Sequence, residues 1–176
     1  MNGAPEGIRQ ALGTLATNVV VISVAHGPER HGCIANVWGE ETDPPLVACA
    51  LSGRGRTFGL VTAAGHFGVS VLGAAQAGLV ARFSGSSADP AERFGASDTF
   101  LGQLGDPLLA GSLATFECHV ARTAPFGRQT IVVGEVAAVH QEPTSAPGDP
   151  RPLLYARSQL WAPGEPLGAV DWGPRG

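Results

Sequence analysis

Residues 18–25 read Asn-Val-Val-Val-Ile-Ser-Val-Ala, and this stretch decides the fold. Its β-branched residues favour a strand, and its apolar part is far shorter than the roughly 20 residues that a membrane-spanning helix needs. The next residues, 26–30, read His-Gly-Pro-Glu-Arg and are typical of a hairpin turn. Residues 32–38 are therefore expected to return as the partner strand.

More strands are predicted along the chain, because β-rich stretches recur between turn residues. They cover residues 46–51, 66–72, 114–123, 130–140 and 153–155, with a hairpin turn at 125–127. At least six strands joined by hairpins, rather than by alternating helices, predict a mainly β fold. We expect a Greek-key split β-barrel with a few short helices.

Helical spacing of apolar residues predicts three short helices. The first begins at Pro5 and ends near Thr17, and the others cover 58–64 and 75–83. Long loops are expected over 85–105 and 142–152. We see no internal repeat or interdomain linker, so residues 1–161 are expected to form one domain and residues 162–176 an extended Gly/Pro-rich tail.

The composition excludes several kinds of chemistry. The chain has 176 residues, with 15 acidic and 11 basic side chains, and every basic residue is an arginine. Without lysine there is no Schiff-base or P-loop lysine. A net charge of −4 argues against nucleic-acid binding. Arginines that cluster are therefore better explained by a small anionic ligand.

The cysteines and histidines show no metal-ligand spacing. Cys33, Cys49 and Cys118 are far apart, and no HxxxH pattern occurs among the five histidines. We expect no metal site, and we interpret Cys49, inside an apolar strand, as a core residue rather than a nucleophile. The polar residues 1–10 show no signal-peptide pattern. These features predict a protein of the cytoplasm, not associated with membranes.

The sharpest local signal is residues 52–57, which read Ser-Gly-Arg-Gly-Arg-Thr between a strand and a helix. Its glycines let backbone N–H groups form an anion-binding nest at the start of the helix, and its hydroxyls and arginines add polar contacts. This pattern indicates a phosphate site. A solvated turn with surface arginines is the alternative, and the residues alone leave both open.

Two other segments carry polar groups that could bind a ligand. Asn36 lies at a strand end, where its amide could face the edge of a heterocycle or anchor a loop. A tryptophan such as Trp38 is more often a core residue than a stacking partner of a ring. Arg82 lies at the end of a predicted helix and could simply interact with the helix dipole.

Eight short motifs occur in order along residues 8–160. With them the chain resembles the short-chain flavin reductases, which have the FMN-binding split-barrel fold and are the reductase partners of two-component flavin monooxygenases. The stretches that carry the resemblance are 8–13 with 17–22, 35–36, 43–47, 50–57, 67–72, 81–85, 130–136 and 152–155.

The resemblance implies a homodimer that holds FMN or FAD near the subunit interface. It implies hydride transfer from NADH or NADPH to the flavin. The reduced flavin is then used by an oxygenase partner. Such chemistry belongs to the cofactors, while the protein supplies orientation and electrostatics. The implied flavin-binding residues are Ala35, Asn36, Val37 and Trp38 along the ring, Ser52, Arg56 and Thr57 at the phosphate end, and Arg82, Phe83 and Ser84 nearby.

The chain departs from the family pattern at two places. Many members have Thr-Ala-Asn-Ser where residues 34–37 read Ile-Ala-Asn-Val, so two hydroxyls are lost. Many members have Gly-Asp-His-Thr where residues 127–130 read Gly-Arg-Gln-Thr, with the histidine near the nicotinamide site. Gln129 takes the position of that histidine as the candidate catalytic residue. Arg128 adds a positive charge, which would favour a phosphorylated cofactor or accompany a loss of nicotinamide binding.

Three functions are consistent with this pattern. The first is an NAD(P)H-dependent flavin reductase that supplies reduced FMN or FAD to a monooxygenase. The second is a flavin-binding electron-transfer protein without nicotinamide turnover, which the replacement by Gln129 favours. The third is a flavin enzyme that acts directly on a small organic substrate.

Overall fold

The apolar stretch forms strand β2 (Val20–His26), which is buried on both faces in the computed structural model. The structure describes residues 5–84, 93–95, 98–140 and 151–167. Alternate side chains of a strand point to opposite faces. Accordingly, Val20, Ile22 and Val24 pack into one apolar cluster, whereas Val21 packs into another. Two cores therefore meet at β2.

Strands dominate the described residues, which confirms the predicted mainly β class. No helix among these residues is long and apolar enough to cross a membrane. The elements, in chain order, are α1 (Glu6–Gly13), β1 (Thr17–Asn18), β2 (Val20–His26), β3 (Glu29–Ala35), β4 (Val37–Glu40), β5 (Leu46–Ser52), α2 (Arg56–Ala64), β6 (His66–Val71), a 3₁₀ turn (Ala74–Gln76), α3 (Leu79–Ser84), β7 (Thr99–Leu101), β8 (Pro107–Leu109), β9 (Ala114–Phe126), β10 (Gln129–His140), β11 (Leu154–Ala156) and β12 (Gln159–Trp161).

Seven strands form one antiparallel sheet in the order β3-β2-β6-β9-β10-β5-β4. The two edge strands, β3 and β4, are consecutive in the chain and are separated only by Asn36. The sheet must therefore curl until its edges meet at this residue, which closes the barrel along a seam. We call the junction of β3 and β4 at Asn36 the barrel seam.

The inner core fills the barrel, and helix α2 packs against it. Phe67, Cys49 and Val132 are completely buried there, with Val61 of α2 packed against them. The second core lies outside the barrel, where Phe83 of α3 packs on the outer face of β2. Burial of these apolar side chains stabilises the fold, and it fixes α2 and α3 beside the seam.

The N-terminal helix is shorter than the sequence predicts. Helix α1 ends at Gly13 rather than near Thr17, and its next residue, Thr14, donates through both its backbone N–H and its hydroxyl to the Ala11 carbonyl. Thr17 instead joins β1, opposite Tyr155 of β11. Pairing between distant strands thus outweighs the local helical pattern at these residues.

Two predicted elements are divided in the structure. The predicted helix over 75–83 is a 3₁₀ turn followed by α3, with Gly78 between them. Glycine is among the poorest helix formers, which accounts for the break. The predicted strand over 32–38 is split at Asn36, and the residues after it form the edge strand β4 rather than a loop.

Three strands were not predicted. Strands β7 and β8 pair with each other, so part of the predicted loop over 85–105 is ordered as a strand; residues 85–92 and 96–97 lie outside the described residues. Strand β12 follows β11 through a tight turn in which Arg157 and Ser158 have positive φ angles of 51° and 61°. Most of the predicted loop over 142–152 and the tail beyond 167 also lie outside the described residues.

Candidate functional site

A cleft of about 310 Å³ lies along the barrel seam, and we call it the seam cleft. Five parts of the chain contribute to it: the β1–β2 region, the β3–β4 junction, helix α3, the ends of β5 and β10, and the β11–β12 hairpin. Its walls are largely apolar, with amides and hydroxyls at intervals. The lining residues are Thr17, Asn18, Val19, Ile34, Ala35, Asn36, Ala50, Val80, Ser84, Gln129, Tyr155 and Leu160.

Two asparagine amides at the seam have different roles. The Asn18 side chain donates to the Val37 carbonyl (2.6 Å) and accepts from the Val37 N–H (2.9 Å), so it pairs with β4 like a neighbouring strand. The half-buried Asn36 amide has no hydrogen-bond partner among the described residues. An amide offers both a donor and an acceptor, and that of Asn36 is available to a ligand in the seam cleft.

A second cleft, of about 580 Å³, lies beside the tip of the β9–β10 hairpin, and we call it the hairpin cleft. It forms because the backbone N–H of Gly53 donates to the Arg128 carbonyl at 3.3 Å, which joins the turn after β5 to the hairpin turn. Its polar residues are two arginines, a glutamine, a serine and a threonine. The lining residues are Ser52, Gly53, Arg54, Pro125, Gly127, Arg128, Gln129 and Thr130.

Gln129 lines both clefts, so the two clefts adjoin at this residue. The strand register explains this position: Gln129 is the first residue of β10, opposite Ser52 of β5 and Phe126 of β9. Its exposed side-chain amide has no partner among the described residues. Gln129 is therefore placed to contact ligands in both clefts at once.

The turn between β5 and α2 leaves the start of the helix without a side-chain cap. The Gly55 N–H donates to the Ser52 carbonyl at 2.8 Å, and Gly55 caps α2 without a side-chain hydrogen bond. The first backbone N–H groups of a helix have no partner within the helix, and the helix dipole makes this end electropositive. The phosphate interpretation of residues 52–57 stays a prediction.

Thr57 is held by a buried polar network rather than facing a cleft. Burial and the positive charges of Arg93 and Arg56 lower the pKa of His31, which keeps its ring neutral at pH 7. Because the Arg93 guanidinium, at 3.3 Å, can only donate to Nε2, the Nδ1–H of His31 donates to the Thr57 hydroxyl at 2.8 Å. This network ties the first turn of α2 to β3, and it fixes the anion-binding end of the helix.

The structure brings five of the predicted site residues to the two clefts. Ala35, Asn36 and Ser84 line the seam cleft, Ser52 lines the hairpin cleft, and Gln129 lines both. The resemblance alone implied these positions, and the register of β3, β5 and β10 shows how they come to be neighbours.

Five other predicted residues lie outside both linings. Arg56 forms an ion pair with Glu29 at 2.8 Å, and Arg82 forms one with Asp98 at 2.6 Å. Phe83 is buried against Phe94, Val37 packs against the inner core, and Trp38 is 53% exposed on the edge strand β4. With Thr57, whose hydroxyl is bonded to His31, their roles in flavin binding stay predictions.

Several residues of the seam cleft were missed from the sequence. Thr17 and Asn18 precede the apolar stretch, and Tyr155 and Leu160 come from the β11–β12 hairpin, more than 130 residues along the chain. The polar pair immediately before β2 was the available signal. The contribution of the hairpin follows from its pairing with β1, which no local pattern reports.

The cysteines do not contribute to either cleft lining. Burial raises the pKa of the Cys49 and Cys118 thiols to about 12 in each case. Cys49 is fully buried in the inner core. A thiol needs to ionise to act as a nucleophile, so the interpretation of Cys49 as a core residue is confirmed.

An antiparallel split barrel with one cleft of mixed apolar and polar lining beside a second that is lined by two arginines is typical of proteins that bind a heterocycle with an anionic tail. Residues 12–162 match the family model described as the flavin reductase like domain. The chain therefore belongs to the flavin reductase family, as its sequence motifs predicted.

Individual relatives and structures agree with this family. The NADH-dependent flavin reductase StyB of Pseudomonas fluorescens is 35% identical over 161 residues, covering 90% of this chain and 89% of that protein. The structure of nitrilotriacetate monooxygenase component B from Mycobacterium thermoresistibile superposes with a TM-score of 0.85 at 27% identity, covering 96% and 92% of the two chains.

A further structure of the same fold contains ligands. The NADH:FAD oxidoreductase SgcE6 of Streptomyces globisporus C-1027, in complex with NAD and FAD fragments, superposes with a TM-score of 0.80 at 29% identity. The superposition covers 92% of this chain and 93% of that one. The similarity therefore extends over nearly the whole of both proteins.

Proposed function

We propose that this chain is an NAD(P)H-dependent flavin reductase that supplies reduced FMN or FAD to a partner monooxygenase. The observation that carries the proposal is the meeting of the seam cleft and the hairpin cleft at Gln129. A hydride donor and a hydride acceptor must contact each other, and two adjoining clefts give each of them a place. The similarity to proteins named NADH-dependent flavin reductase and monooxygenase component B supports the same function.

The seam cleft suits the flavin ring. Ala35, Val80 and Leu160 offer apolar contacts to a flat ring system, and the free amide of Asn36 can pair with its polar edge. The anionic tail of the flavin can reach the uncapped start of α2, where backbone N–H groups favour a phosphate. The residues present thus fit both halves of the cofactor.

The bound flavin and nicotinamide supply the hydride-transfer chemistry, and the protein brings them together. Residues of β3, α3 and the β11–β12 hairpin, which line the seam cleft, would hold the flavin ring. Gln129 can donate to and accept from a carboxamide without changing its own protonation state. We therefore assign Gln129 to orienting the nicotinamide, an effect of position rather than of acid–base catalysis.

The test is to mix the purified protein with NADH or NADPH and with FMN or FAD, and to follow absorbance at the nicotinamide band. We expect steady oxidation with at least one nucleotide and a roughly tenfold or larger loss of kcat/KM in Gln129→Ala, in line with the cost of lost positioning. Arg122→Gln, on the same hairpin but outside both clefts, is the matched control.

Two outcomes would contradict the proposal. Absence of oxidation with every nucleotide–flavin pair would exclude a reductase. If the protein also kept its flavin through desalting, the electron-transfer alternative would be favoured, since a reductase that supplies reduced flavin must release it.

We further infer that the protein is a homodimer. Helix α1 exposes Ile8 and Leu12, which are 52% and 58% accessible, and Leu15 just after the helix is 62% accessible. The adjacent β11–β12 hairpin exposes Tyr155 and Trp161, and it is joined to α1 because the Arg157 N–H donates to the Gly13 carbonyl. An apolar face of this kind, on two neighbouring elements, favours burial against a second copy.

A reductase using NAD(P)H would act in the cytoplasm.

A further inference from the structure

Two arginines of the hairpin cleft have no partner of their own. Neither guanidinium of Arg54 and Arg128 has a hydrogen bond or ion pair among the described residues. By contrast, Arg9, Arg56 and Arg82 each pair with a carboxylate. The hairpin cleft therefore holds two positive charges that the described part of the chain leaves unneutralised.

The two turns that carry these arginines are joined by a backbone hydrogen bond. Arg54 lies in the turn after β5 and Arg128 in the β9–β10 turn, and the Gly53 N–H bonded to the Arg128 carbonyl joins the two turns. Among the described residues, the cleft lining contains no carboxylate, and it adds the hydroxyl residues Ser52 and Thr130. A charge pair with hydroxyls and no competing acid is the environment in which a phosphate binds tightly.

The size and position of the hairpin cleft point to a nucleotide. Its volume of about 580 Å³ lies in the range of small-molecule sites and exceeds what a lone phosphate fills. The start of α2, from Gly55 onward, is outside its lining, so the chain offers the flavin phosphate a separate place. The cleft opens from Gln129, where the proposed function puts the nicotinamide.

We propose that Arg54 and Arg128 bind the 2′-phosphate of NADPH, and that the reductase prefers NADPH to NADH. This inference rests on the proposed function. A phosphate monoester carries between about 1.5 and 2 negative charges at pH 7, whereas each phosphate of the dinucleotide bridge carries one. Two guanidinium groups match the monoester in charge, and their planar forks match its oxygen atoms in geometry.

The kinetic test compares the two nucleotides at a fixed FMN concentration. We expect kcat/KM to be at least tenfold higher for NADPH than for NADH, and the NADPH-to-NADH ratio to fall at least tenfold in Arg54→Gln and in Arg128→Gln. Arg122→Gln removes the same charge from an exposed position on β9 without a partner in the described part of the chain. It is expected to leave the ratio unchanged, and circular dichroism checks that all variants are folded.

A binding measurement tests the site without turnover. In isothermal titration, NADP⁺ should bind more tightly than NAD⁺, and 2′-AMP more tightly than 5′-AMP. Both differences in affinity should be lost in Arg128→Gln.

Three outcomes would overturn the inference. The first is a wild-type NADPH-to-NADH ratio of kcat/KM of one or below. The second is an equal loss of kcat/KM with both nucleotides in the arginine variants, which would assign the arginines to the dinucleotide bridge. The third is a KM raised for FMN but not for riboflavin, which would assign them to the flavin phosphate. Each of these results would overturn the NADPH site, but turnover of NADH would still support the proposed reductase. Absence of turnover with every nucleotide would contradict the proposed function itself.

Discussion

Asn18 closes the barrel seam through its side chain, because its amide pairs with both backbone groups of Val37. Loss of a hydrogen bond that leaves a half-buried group unpaired costs about 1–3 kcal/mol. We expect Asn18→Ala to lower the free energy of unfolding by about that amount, measured by urea denaturation.

Asn36→Ala is the matched control for this prediction, since it also removes an asparagine side chain at the barrel seam. The Asn36 amide has no partner among the described residues. Its removal should change stability by less than about 0.5 kcal/mol but should weaken FMN binding, measured by fluorescence titration. Equal losses of stability in the two variants would show that Asn18 does not hold the seam.

Glu117 is a buried carboxylate with several donors. Burial opposes its ionisation, but hydrogen bonds from His140 and from the N–H groups of Leu104 and Gln103 outweigh burial and hold its pKa below the ordinary value of 4.5. His140 Nε2 lies 2.9 Å from the carboxylate. A group whose pKa is lower in the folded state stabilises the fold above its unfolded pKa, and the contribution is lost as the pH falls through the folded pKa.

Glu117→Gln should therefore destabilise the protein at pH 7 by about 1–3 kcal/mol, the cost of impairing charge-assisted hydrogen bonds. The difference from the wild type should shrink as the pH falls below 4.5, when Glu117 itself becomes protonated. Urea denaturation across pH 3–7 measures both effects. Glu135→Gln, at an exposed position on β10, removes the same charge and should show neither the loss of stability nor its pH dependence. If Glu117→Gln were less stable than the wild type by the same amount at every pH, the pKa of Glu117 would not be linked to stability.

At the scale of the element, strand β10 depends on a glycine inside the barrel. A Cβ atom added at Gly134 would lie 2.6 Å from Phe67 Cζ and 2.7 Å from Cys118 Cβ, both in the packed inner core. Because neither neighbour has room to withdraw, Gly134→Ala should cost about 1–3 kcal/mol of stability through overpacking. Thermal or urea denaturation measures it.

Gly39→Ala makes the same change in the edge strand β4. The nearest atom to an added Cβ there is the Leu46 carbonyl oxygen at 3.7 Å, an ordinary contact. This variant should be neutral or slightly stabilising, since alanine reduces the freedom of the unfolded chain. Comparable losses in both glycine variants would mean that strand propensity, rather than the contact with Phe67, is the cause.

The sequence predicts those elements whose signal is local. Strands β2, β5 and β6 are short runs rich in β-branched or apolar residues, and the β9–β10 hairpin has its turn at Gly127. The break at Asn36 is not visible in this way, because it depends on β4 pairing with β5 instead of continuing along β2. Strand β12 was missed since its turn uses Arg157 and Ser158, residues that seldom adopt positive φ.

The same distinction applies to the site. Backbone-defined positions such as Asn36, Ser52 and Gln129 follow from motif order, and each of them lines a cleft. The side-chain directions of Arg56 and Arg82 depend on Glu29 and Asp98, which are 27 and 16 residues away. Local sequence cannot report a partner at that distance, so the division between paired and free arginines required the structure.

At the scale of the whole molecule, the seam cleft and the exposed apolar face share one element. Tyr155 and Leu160 of the β11–β12 hairpin line the cleft, and the hairpin also borders α1. A second copy packed on α1 and the hairpin would restrain the cleft wall. The homodimer and flavin binding are therefore expected to be thermodynamically linked, with each favouring the other.

Leu12→Glu tests this linkage, because it puts a charge in the centre of the apolar face of α1. Burying an unpaired charge is unfavourable, so the variant should sediment as a single chain, whereas the wild type should have twice the 17.9 kDa mass of one chain. Gln10→Glu adds the same charge on the polar side of α1, and it should leave the dimer intact. In fluorescence titrations the Leu12→Glu monomer should bind FMN more weakly than either dimer. A wild-type protein of single-chain mass would contradict the homodimer, and a monomeric variant with unchanged FMN affinity would show that the hairpin holds the cleft wall without help from a partner.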